Sequence, residues 1–287
     1  MKTRFSITMD EDILKNLDSL VDGKHIRSRS EAIETIIRRF LEANKVAVFL
    51  AGGDPEKLKI NNVFRPLVKI LEKPLILYSI EQLRSAGFKT IYIIGQNKMV
   101  GELFKELGNG EKFGVKINYV EEDESLGEFK TLQRIEKDVK SPFLMLQIDN
   151  YFNFDLNELF KAFAFNKGAL TLAVQARSEI EERKGVLEML GNQITNFEET
   201  PVNIKSTLAS TTIGICDPSI FDYIPNGNIR YTKNELFPCL IKDKQMNGFI
   251  IKGPWFNVHE MSDVRLLEKH LKSNKKNGIL PVVAAKA

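Results

Sequence analysis

Two different spacings of apolar residues divide the chain near residue 45. Residues 2–9, KTRFSITM, alternate between polar and apolar side chains, which predicts a strand. Apolar residues then recur every three or four positions, which predicts two helices, the first after Asp10 and the second after the capping sequence Ser28 to Glu31. A strand and two helices of this length bury too little apolar surface to fold alone, so we expect a partner chain.

Beyond residue 45, continuous apolar runs alternate with segments of helical spacing. The first three of them are VAVFLAGG (46–53), PLILYSIEQLRSAG (74–87) and KTIYIIG (89–95). The pattern predicts an α/β fold with a Rossmann-like, mostly parallel mixed sheet and helices on both faces. Ligands bind such sheets at the carboxyl ends of the strands, where Gly52, Gly53 and Asp149 fall.

Composition adds few constraints. The net charge of +3 and the pI near 8.6 permit a nucleic-acid partner without requiring one. No apolar run approaches the roughly 18 residues that a membrane span needs, and the N-terminus lacks the apolar core of a signal peptide. We therefore expect a cytoplasmic protein with no membrane partner.

The strand-helix-helix of residues 1–44 resembles the ribbon-helix-helix family of transcription regulators. The resemblance implies a homodimer or higher homo-oligomer whose paired strands lie in the major groove of double-stranded operator DNA. Base contacts would come from the outward side chains of the strand, Arg4, Ser6 and Thr8. A backbone phosphate would be held at the start of the second helix by Ser28, Arg29 and Ser30.

A module that only dimerises is the alternative for this segment. Residues 1–44 contain eight Lys or Arg and eight Asp or Glu, so the segment is not basic overall. Any positive surface must therefore come from how the basic side chains are placed. We interpret the segment as DNA-binding.

Residues 45–272 resemble the sugar-1-phosphate nucleotidyltransferase family, and we assign residues 45–287 to this domain. The resemblance depends on several motifs in the family's order. They are LAGGDPEKL, FRPLVKILEKPLILYSIEQLRSAGFKTIYII, YVEEDESLGEF, FLMLQID, KGVLEM with ITNFEETP, TTIGIC and GPWFNVH. Members of the family join a nucleoside triphosphate to a sugar 1-phosphate and release pyrophosphate, with Mg²⁺ held between carboxylates.

Several of the family's catalytic groups are replaced in this chain. Pro55 stands in place of a loop glycine, Lys57 in place of an arginine, and Thr200 in place of a lysine. Asp149 remains as a metal ligand, but the second metal carboxylate has become Asn257. These changes predict that catalysis is largely lost, so we assign no catalytic residue. No cofactor is required by this interpretation, and Mg²⁺ is permitted at Asp149 and Asn257.

The ligand pocket is better preserved than the catalytic groups. The resemblance implies a site for a nucleotide or nucleotide-sugar, with Glu122 in place of a base-reading glutamine and Arg65 in place of a phosphate-binding lysine. The predicted ligand-binding residues are Leu50, Ala51, Gly52, Gly53, Lys57, Arg65, Glu122, Gly127, Asp149, Gly185, Glu199 and Thr212. We interpret His259 as a packed histidine without a ligand role, and residues 151–165 as a core helix.

Three functional hypotheses follow. The first is a DNA-binding transcription regulator whose nucleotidyltransferase-like domain senses a nucleotide or nucleotide-sugar. The second is an active sugar-1-phosphate nucleotidyltransferase that carries a DNA-binding or dimerising module. The third is a structural dimer in which residues 1–44 only join two pockets. We favour the first, because ligand could control DNA binding across the short Asn44-Lys45 junction.

Overall fold

The computed structural model describes residues 6–24, 26–43, 45–177, 185–201 and 206–276, without the side chains of residues 38–43 and 275–276. The chain divides into two compact units, Met1–Asn44 and Lys45–Ala287. Leu17 and Ala32 are buried in the first unit, and the large apolar cores lie in the second.

The first unit contains helices α1 (Glu11–Ser19) and α2 (Arg29–Ala43). Asp10 precedes α1 with an extended backbone, but its side chain accepts no capping hydrogen bond from a described residue. At α2, the Ser28 hydroxyl accepts the Glu31 N–H at 3.2 Å, and the Glu31 carboxylate accepts the Arg27 N–H at 2.8 Å. The predicted capping pair therefore forms, with its return bond one residue earlier than in the standard motif.

The strand predicted over residues 2–9 is described only from residue 6 onwards. Residues 6–10 form no strand in the single chain. A ribbon of the predicted kind is paired between two chains, so one chain offers no partner strand. Large apolar side chains of this unit also remain exposed, namely Ile7, Ile13, Leu20, Ile36 and Ile37.

The second unit alternates strands and helices at first and becomes richer in strands later. Its helices are α3 (Leu75–Ser85), α4 (Asn97–Leu107), α5 (Glu128–Gln133), α6 (Leu156–Asn166), α7 (Lys233–Lys242) and α8 (Met261–Lys276). Its strands are β1 (Val46–Ala51), β2 (Lys59–Ile60), β3 (Val63–Phe64), β4 (Lys69–Ile70), β5 (Lys73–Pro74), β6 (Thr90–Gln96), β7 (Lys116–Glu122), β8 (Phe143–Gln147), β9 (Asn150–Phe152), β10 (Leu170–Ala176), β11 (Val186–Leu190), β12 (Gln193–Glu198), β13 (Leu208–Cys216), β14 (Met246–Ile250) and β15 (Trp255–Asn257).

Nine strands of the described chain form one mixed sheet in the order β10-β14-β12-β11-β13-β8-β1-β6-β7. β1 pairs in parallel with β6 and β8, and β6 pairs in parallel with β7. β13 runs antiparallel to β8, β10 and β11. The mixed α/β sheet is confirmed, with parallel pairs concentrated around β1 and antiparallel pairs dominating the later strands.

Helices cover both faces of this sheet, as the sequence predicts. Along β1, Phe49 belongs to the core that includes residues of α3, α4 and α6. The next residue, Leu50, belongs to the opposite core, which includes residues of α5 and α7. Successive side chains of a strand point to opposite faces, so one short apolar strand supports both cores.

Two segments differ from the prediction. The helix expected over residues 151–165 begins only at Leu156, because residues 150–152 pair with β15 as strand β9. Asp155 caps this helix by accepting the Asn157 N–H at 2.8 Å. The apolar residues before Asp155 are still buried, so they are core residues of a strand and a turn instead of a helix.

Candidate functional site

A cleft of about 500 Å³ opens at the carboxyl ends of β1 and β8. It brings together eight residues predicted from sequence, namely Leu50, Ala51, Gly52, Gly53, Lys57, Arg65, Gly127 and Asp149. The other lining residues are Asp54, Leu58, Ser125, Glu128, Gln147, Ile148, Arg230 and His259. Residues distant in sequence meet here because β1 and β8 are parallel neighbours, so the turns that follow them lie at one edge of the sheet.

The two positions after β1, Gly52 and Gly53, require glycine for different structural reasons. Gly53 has a φ of +127°, a backbone conformation that side chains rarely adopt. A Cβ on Gly52 would lie 2.5 Å from Glu122 Oε1 and 2.8 Å from Thr131 Oγ1. Position 52 therefore has no room for a side chain, and the backbone of the loop lies directly against the Glu122 carboxylate.

From Asp54 the loop turns back on itself. The Asp54 carboxylate accepts the Glu56 N–H at 3.0 Å, and the Asp54 carbonyl accepts the Lys57 N–H at 3.0 Å. Pro55 has no N–H to donate. This part of the loop therefore offers a ligand the charge of Lys57, and the backbone N–H groups of Glu56 and Lys57 are already used.

Asp149 lies at the base of the cleft and is buried. Its Oδ2 accepts a hydrogen bond from Arg65 Nη1 at 3.0 Å and lies 3.4 Å from His259 Nε2. Burial raises the pKa of Asp149, but His259 and Arg65 together outweigh burial and hold the pKa below its usual value. Arg65 also donates from Nη2 to the Lys57 carbonyl at 2.9 Å, which joins the base of the cleft to the loop.

His259 contradicts its sequence interpretation as a packed histidine. Its side chain is 48% exposed, lines the cleft and lies beside Asp149. The turn that carries it is fixed from both sides, because the Val258 N–H donates to the Asp149 carbonyl at 3.0 Å and Trp255 Nε1 donates to Asn150 Oδ1 at 2.6 Å. The imidazole is thus held at the cleft by the pairing of β9 with β15.

The two predicted metal ligands can be tested against the requirements of Mg²⁺. Asp149 supplies one carboxylate, and its Oδ2 is already paired with Arg65. Asn257 supplies an amide Oδ1 that is buried without a hydrogen-bond partner among the described residues. Hard divalent ions bind most strongly to charged oxygen ligands. One carboxylate shared with a guanidinium and one neutral amide therefore do not fit a metal site of the family's kind.

No other metal site stands out in the described chain. Across residues 6–276, apart from the undescribed gaps, no three His, Cys, Asp or Glu side chains are grouped so that they could hold a metal ion. Among the described residues, no helix combines the length and apolar character needed to cross a membrane.

Glu122 lies between the cleft and a second cavity of about 200 Å³. It lines this second cavity and is 3% exposed. Thr131 Oγ1 donates to Glu122 Oε2 at 2.6 Å, whereas Oε1 has no partner among the described residues and faces Gly52. Burial raises the pKa of Glu122, and the hydrogen bond from Thr131 opposes this shift. Oε1 is therefore the carboxylate oxygen that is buried against the Gly52 backbone without a partner among the described residues.

Three predicted ligand residues, Gly185, Glu199 and Thr212, do not line the cleft. Glu199 Oε1 is 2.7 Å from Lys233 Nζ, and the Lys233 N–H donates at 3.1 Å to Glu128, which does line it. A Cβ on Gly185 would lie 3.3 Å from Glu199 Oε2, so these two residues are neighbours. Thr212 has a φ of +59° beside the irregular pairing of β10 with β13. A role for these residues in ligand binding stays a prediction.

Arg230 is a cleft residue that the sequence interpretation missed. Tyr231 positions it, because the Tyr231 N–H donates to the Leu126 carbonyl at 2.7 Å. A Cβ on Gly127 would lie 2.6 Å from the Tyr231 carbonyl oxygen, so only glycine allows this approach. A sequence signal existed, since the capping box at Thr232 marks the start of α7 and places Arg230 just before a helix.

The DNA contacts predicted in the first unit are exposed where they are described. Ser6, Thr8, Ser28 and Ser30 are exposed, and Arg4 lies outside the described residues. Arg29 is also exposed, but its Nε and Nη2 atoms donate to the Asp18 carboxylate at 2.5 and 2.8 Å. This bidentate pair joins α1 to α2, so the Arg29 guanidinium already has a structural partner.

Comparison with known proteins separates the two parts of the chain. A model of the copG-family ribbon-helix-helix protein matches residues 3–43, and a model of the nucleotidyl transferase family matches residues 46–274. The mannose-1-phosphate guanyltransferase of Gibberella zeae is 30% identical over 226 residues, which are 75% of this chain and 61% of that protein. The enzyme of the same name from Schizosaccharomyces pombe is 30% identical, covering 76% of this chain and 61% of its own.

A solved structure agrees with the fold. It is a Bacillus anthracis protein described as a glucose-1-phosphate thymidylyltransferase, and it superposes with a TM-score of 0.71 at 22% identity, covering 79% of this chain and 94% of that one. The chain spans 61% of the length of the guanyltransferases above. It belongs to the nucleotidyl transferase family over residues 46–274 and carries a ribbon-helix-helix domain of the copG family in front of it.

Proposed function

We propose that the protein is a DNA-binding transcription regulator whose nucleotidyltransferase-like domain binds a guanine nucleotide or guanine nucleotide-sugar as its effector. One observation carries the proposal. The cleft keeps its ligand-facing backbone at Gly52 and Gly53, while its buried carboxylate Asp149 is paired with Arg65. The cleft is open, but its candidate metal-binding carboxylate is already paired with an arginine. Such a cleft is suited to binding a ligand more than to catalysis.

The chemistry of Glu122 supports guanine as the base. An ionised carboxylate only accepts hydrogen bonds, and guanine presents two adjacent donors, its N1–H and its 2-amino group. Uracil and thymine present one donor between two acceptors, so a carboxylate matches them less well. The relatives from Gibberella zeae and Schizosaccharomyces pombe are guanyltransferases acting with mannose 1-phosphate by name, so GDP-mannose is the first ligand to test.

Several replaced residues support the loss of catalysis. Pro55, Thr200 and Asn257 stand where the resemblance leads us to expect a glycine, a lysine and a metal carboxylate. Phosphoryl transfer depends on positioned cations and metal ions that neutralise charge in the transition state. Removing one such group typically costs about a hundredfold or more in rate. These replacements together therefore favour a receptor.

The first unit supports the DNA-binding part of the proposal. Its exposed isoleucines would be covered when two chains pair, which is how a unit with so small a core becomes stable. Pairing would also provide the missing partner for the strand, whose outward residues Arg4, Ser6 and Thr8 we propose as base contacts. The cytoplasm is the proposed compartment, since a regulator must reach the chromosome.

An effector can control DNA binding only if it favours one of two protein states. The two family matches are separated by residues 44 and 45 alone, so the effector domain follows the DNA-binding domain almost directly in sequence. We propose that GDP-mannose changes operator affinity through this connection.

The test uses the full-length protein and a DNA ligand selected from a random library. Fluorescence anisotropy should show binding that weakens steeply with salt and an affinity that changes at least fivefold on adding GDP-mannose. Arg4→Ala should lose sequence preference while GDP-mannose still raises the melting temperature. If the selection yielded no preferred DNA sequence, or if DNA affinity were the same with and without GDP-mannose, the regulatory role would be contradicted.

An active sugar-1-phosphate nucleotidyltransferase is the second candidate, and the similarity to named guanyltransferases favours it. It predicts pyrophosphate release from GTP and mannose 1-phosphate in the presence of Mg²⁺. We expect the purified protein to release pyrophosphate at a rate near that of the uncatalysed mixture. Sustained release at one turnover per second or faster, a typical enzymatic rate, would establish the enzyme instead.

A further inference from the structure

The cleft holds four basic side chains, Lys57, Arg65, Arg230 and His259, which we call the basic cluster. We infer that the basic cluster binds the phosphates of the nucleotide ligand without a divalent metal. This inference rests on the proposed function, because it concerns how the same cleft holds a guanine nucleotide. It departs from the family's chemistry, in which Mg²⁺ lies between carboxylates.

Each of the three cleft carboxylates, Asp54, Glu128 and Asp149, already accepts a hydrogen bond from the protein. Asp149 is paired with Arg65 at 3.0 Å, and the Asp54 carboxylate accepts the Glu56 N–H at 3.0 Å. A divalent ion placed on Asp149 would meet the fixed charge of Arg65 at the same oxygen. The positive charge that a phosphate requires is therefore already supplied by the protein.

Of the five N–H donors of the Arg65 guanidinium, two are used within the protein and the others are left for a ligand. Its Nη1 and Nη2 bind Asp149 and the Lys57 carbonyl, whereas its Nε is buried without a hydrogen-bond partner among the described residues. A buried donor without a partner is costly, so this atom marks a place where a phosphate oxygen would be stabilised. A guanidinium also stays protonated throughout the physiological pH range, so its charge does not depend on a cofactor.

The other basic side chains surround this position from three separate segments. Lys57 comes from the loop after β1, Arg230 from the segment before α7, and His259 from the turn after β15. Each segment is tied to the cleft by a hydrogen bond described above. These hydrogen bonds fix the backbone of each segment, so the basic side chains extend into the cleft from positions that are set before a ligand binds.

The experiment measures GDP binding to the full-length protein by isothermal titration calorimetry, once with EDTA and once with Mg²⁺. We expect dissociation constants within threefold of each other. A dissociation constant at least tenfold weaker in EDTA would overturn the inference and leave the proposed function intact. Absence of GDP binding in both buffers would overturn the proposed function and the inference with it.

Substitutions at Arg65 test whether the basic cluster is what binds the phosphates of GDP. Arg65→Met should weaken GDP binding at least tenfold in EDTA, whereas Lys69→Ala, an exposed lysine outside the cleft, should leave it unchanged. The GDP affinity of Arg65→Lys should lie between those of Arg65→Met and Lys69→Ala, because lysine keeps the positive charge and loses the bidentate guanidinium. Equal GDP affinity in wild type and both Arg65 variants, with unchanged thermal unfolding, would contradict the role of the basic cluster.

The segment GPWFNVH resembles a family turn of the pattern Gly-x-Trp-x-Asp-Ile-Gly, which has an aspartate at position 257 and a glycine at position 259. The triple variant Arg65→Lys, Asn257→Asp, His259→Gly introduces the residues that the resemblance leads us to expect at these positions. We expect GDP binding by this variant to become at least tenfold tighter with Mg²⁺ than with EDTA. A triple variant that folds, binds GDP and stays indifferent to Mg²⁺ would show that these three residues do not decide the metal requirement, which would also overturn the inference.

Discussion

The two oxygen atoms of Glu122 have different surroundings. Oε2 is held by the Thr131 hydroxyl at 2.6 Å, and Oε1 faces the Gly52 backbone without a described partner. One oxygen thus fixes the orientation of the carboxylate, and we propose that the other accepts a hydrogen bond from the base of the ligand. A glutamine at this position would place an amide in the same orientation and offer one acceptor and one donor instead of acceptors alone.

We therefore expect the identity of residue 122 to determine base selectivity. Glu122→Gln should weaken GDP binding about tenfold or more, because a charge-assisted hydrogen bond to guanine is lost, and should change UDP binding less. Glu124→Gln, an exposed carboxylate lining the same second cavity, is the control and should bind GDP as wild type does. Calorimetric titration with both nucleotides measures the ratio. An unchanged GDP to UDP ratio in Glu122→Gln would exclude Glu122 as the base-reading residue.

The same carboxylate predicts a pH dependence. Only ionised Glu122 accepts hydrogen bonds at both oxygens, and burial raises its pKa above the usual 4.5. GDP affinity should therefore be complete at neutral pH and fall as the pH drops through this raised pKa, and Glu122→Gln should lose that part of the dependence. Titrations between pH 7 and pH 5 on both proteins test this. If GDP affinity fell equally with pH in the wild type and in Glu122→Gln, the pH dependence would belong to another group.

Sequence alone identified half of the residues that line the cleft, but not how they pair. The motif order correctly brought Gly52, Lys57 and Arg65 together, since they follow one strand closely. It missed Arg230 and misjudged His259, because these residues reach the cleft through pairings formed late in the chain. Contacts such as that between Asp149 and Arg65 depend on three-dimensional distances that no local pattern contains.

At the scale of elements, the close approach of the β1 loop to β7 controls the shape of the cleft. The loop passes so near the end of β7 that residue 52 has no room for a Cβ. Long apolar strands and amphipathic helices were predictable because they repeat with periods of two and 3.6. The paired strands of two or three residues, such as β2 with β3 and β9 with β15, were not, because segments of that length contain no complete period.

Gly52→Ala tests this close approach. The added methyl group would collide with Glu122 and Thr131, so we expect a loss of about 1–3 kcal/mol in the free energy of unfolding and weaker GDP binding. Gly101→Ala is the matched control, since Gly101 lies in α4 with no atom within 4 Å of its Cβ position. Alanine is the better helix former, so this variant should gain roughly 0.5–1 kcal/mol. Chemical denaturation measures both, and a neutral Gly52→Ala would refute the packing argument.

At the scale of the whole molecule, the first unit is incomplete as a single chain. Its described core consists of few buried apolar side chains, whereas Ile36 and Ile37 on α2 are 44% and 47% exposed. The family match to the copG ribbon-helix-helix protein agrees with a unit that pairs with a second copy. Burying apolar surface between copies would supply the stability that one copy lacks.

Ile37→Asp should therefore shift the protein from dimer to monomer and abolish selective DNA binding together. Leu190→Asp, at a side chain 77% exposed in the second unit, should alter neither property. Light scattering after size-exclusion chromatography reports the mass, and anisotropy reports DNA binding. A dimeric Ile37→Asp variant that still binds the selected DNA would place the dimer contact elsewhere.

The buried amide of Asn257 also has an evolutionary consequence. Asparagine and aspartate codons differ by one base, so a single mutation would return a carboxylate to this turn. That carboxylate would lie in a turn beside Asp149, which Arg65 already pairs with, and it would bind a metal ion only if Arg65 were replaced as well. If the cleft is a receptor, as proposed, a return to metal-dependent catalysis would need several coordinated mutations, and such a lineage would be protected against drifting back.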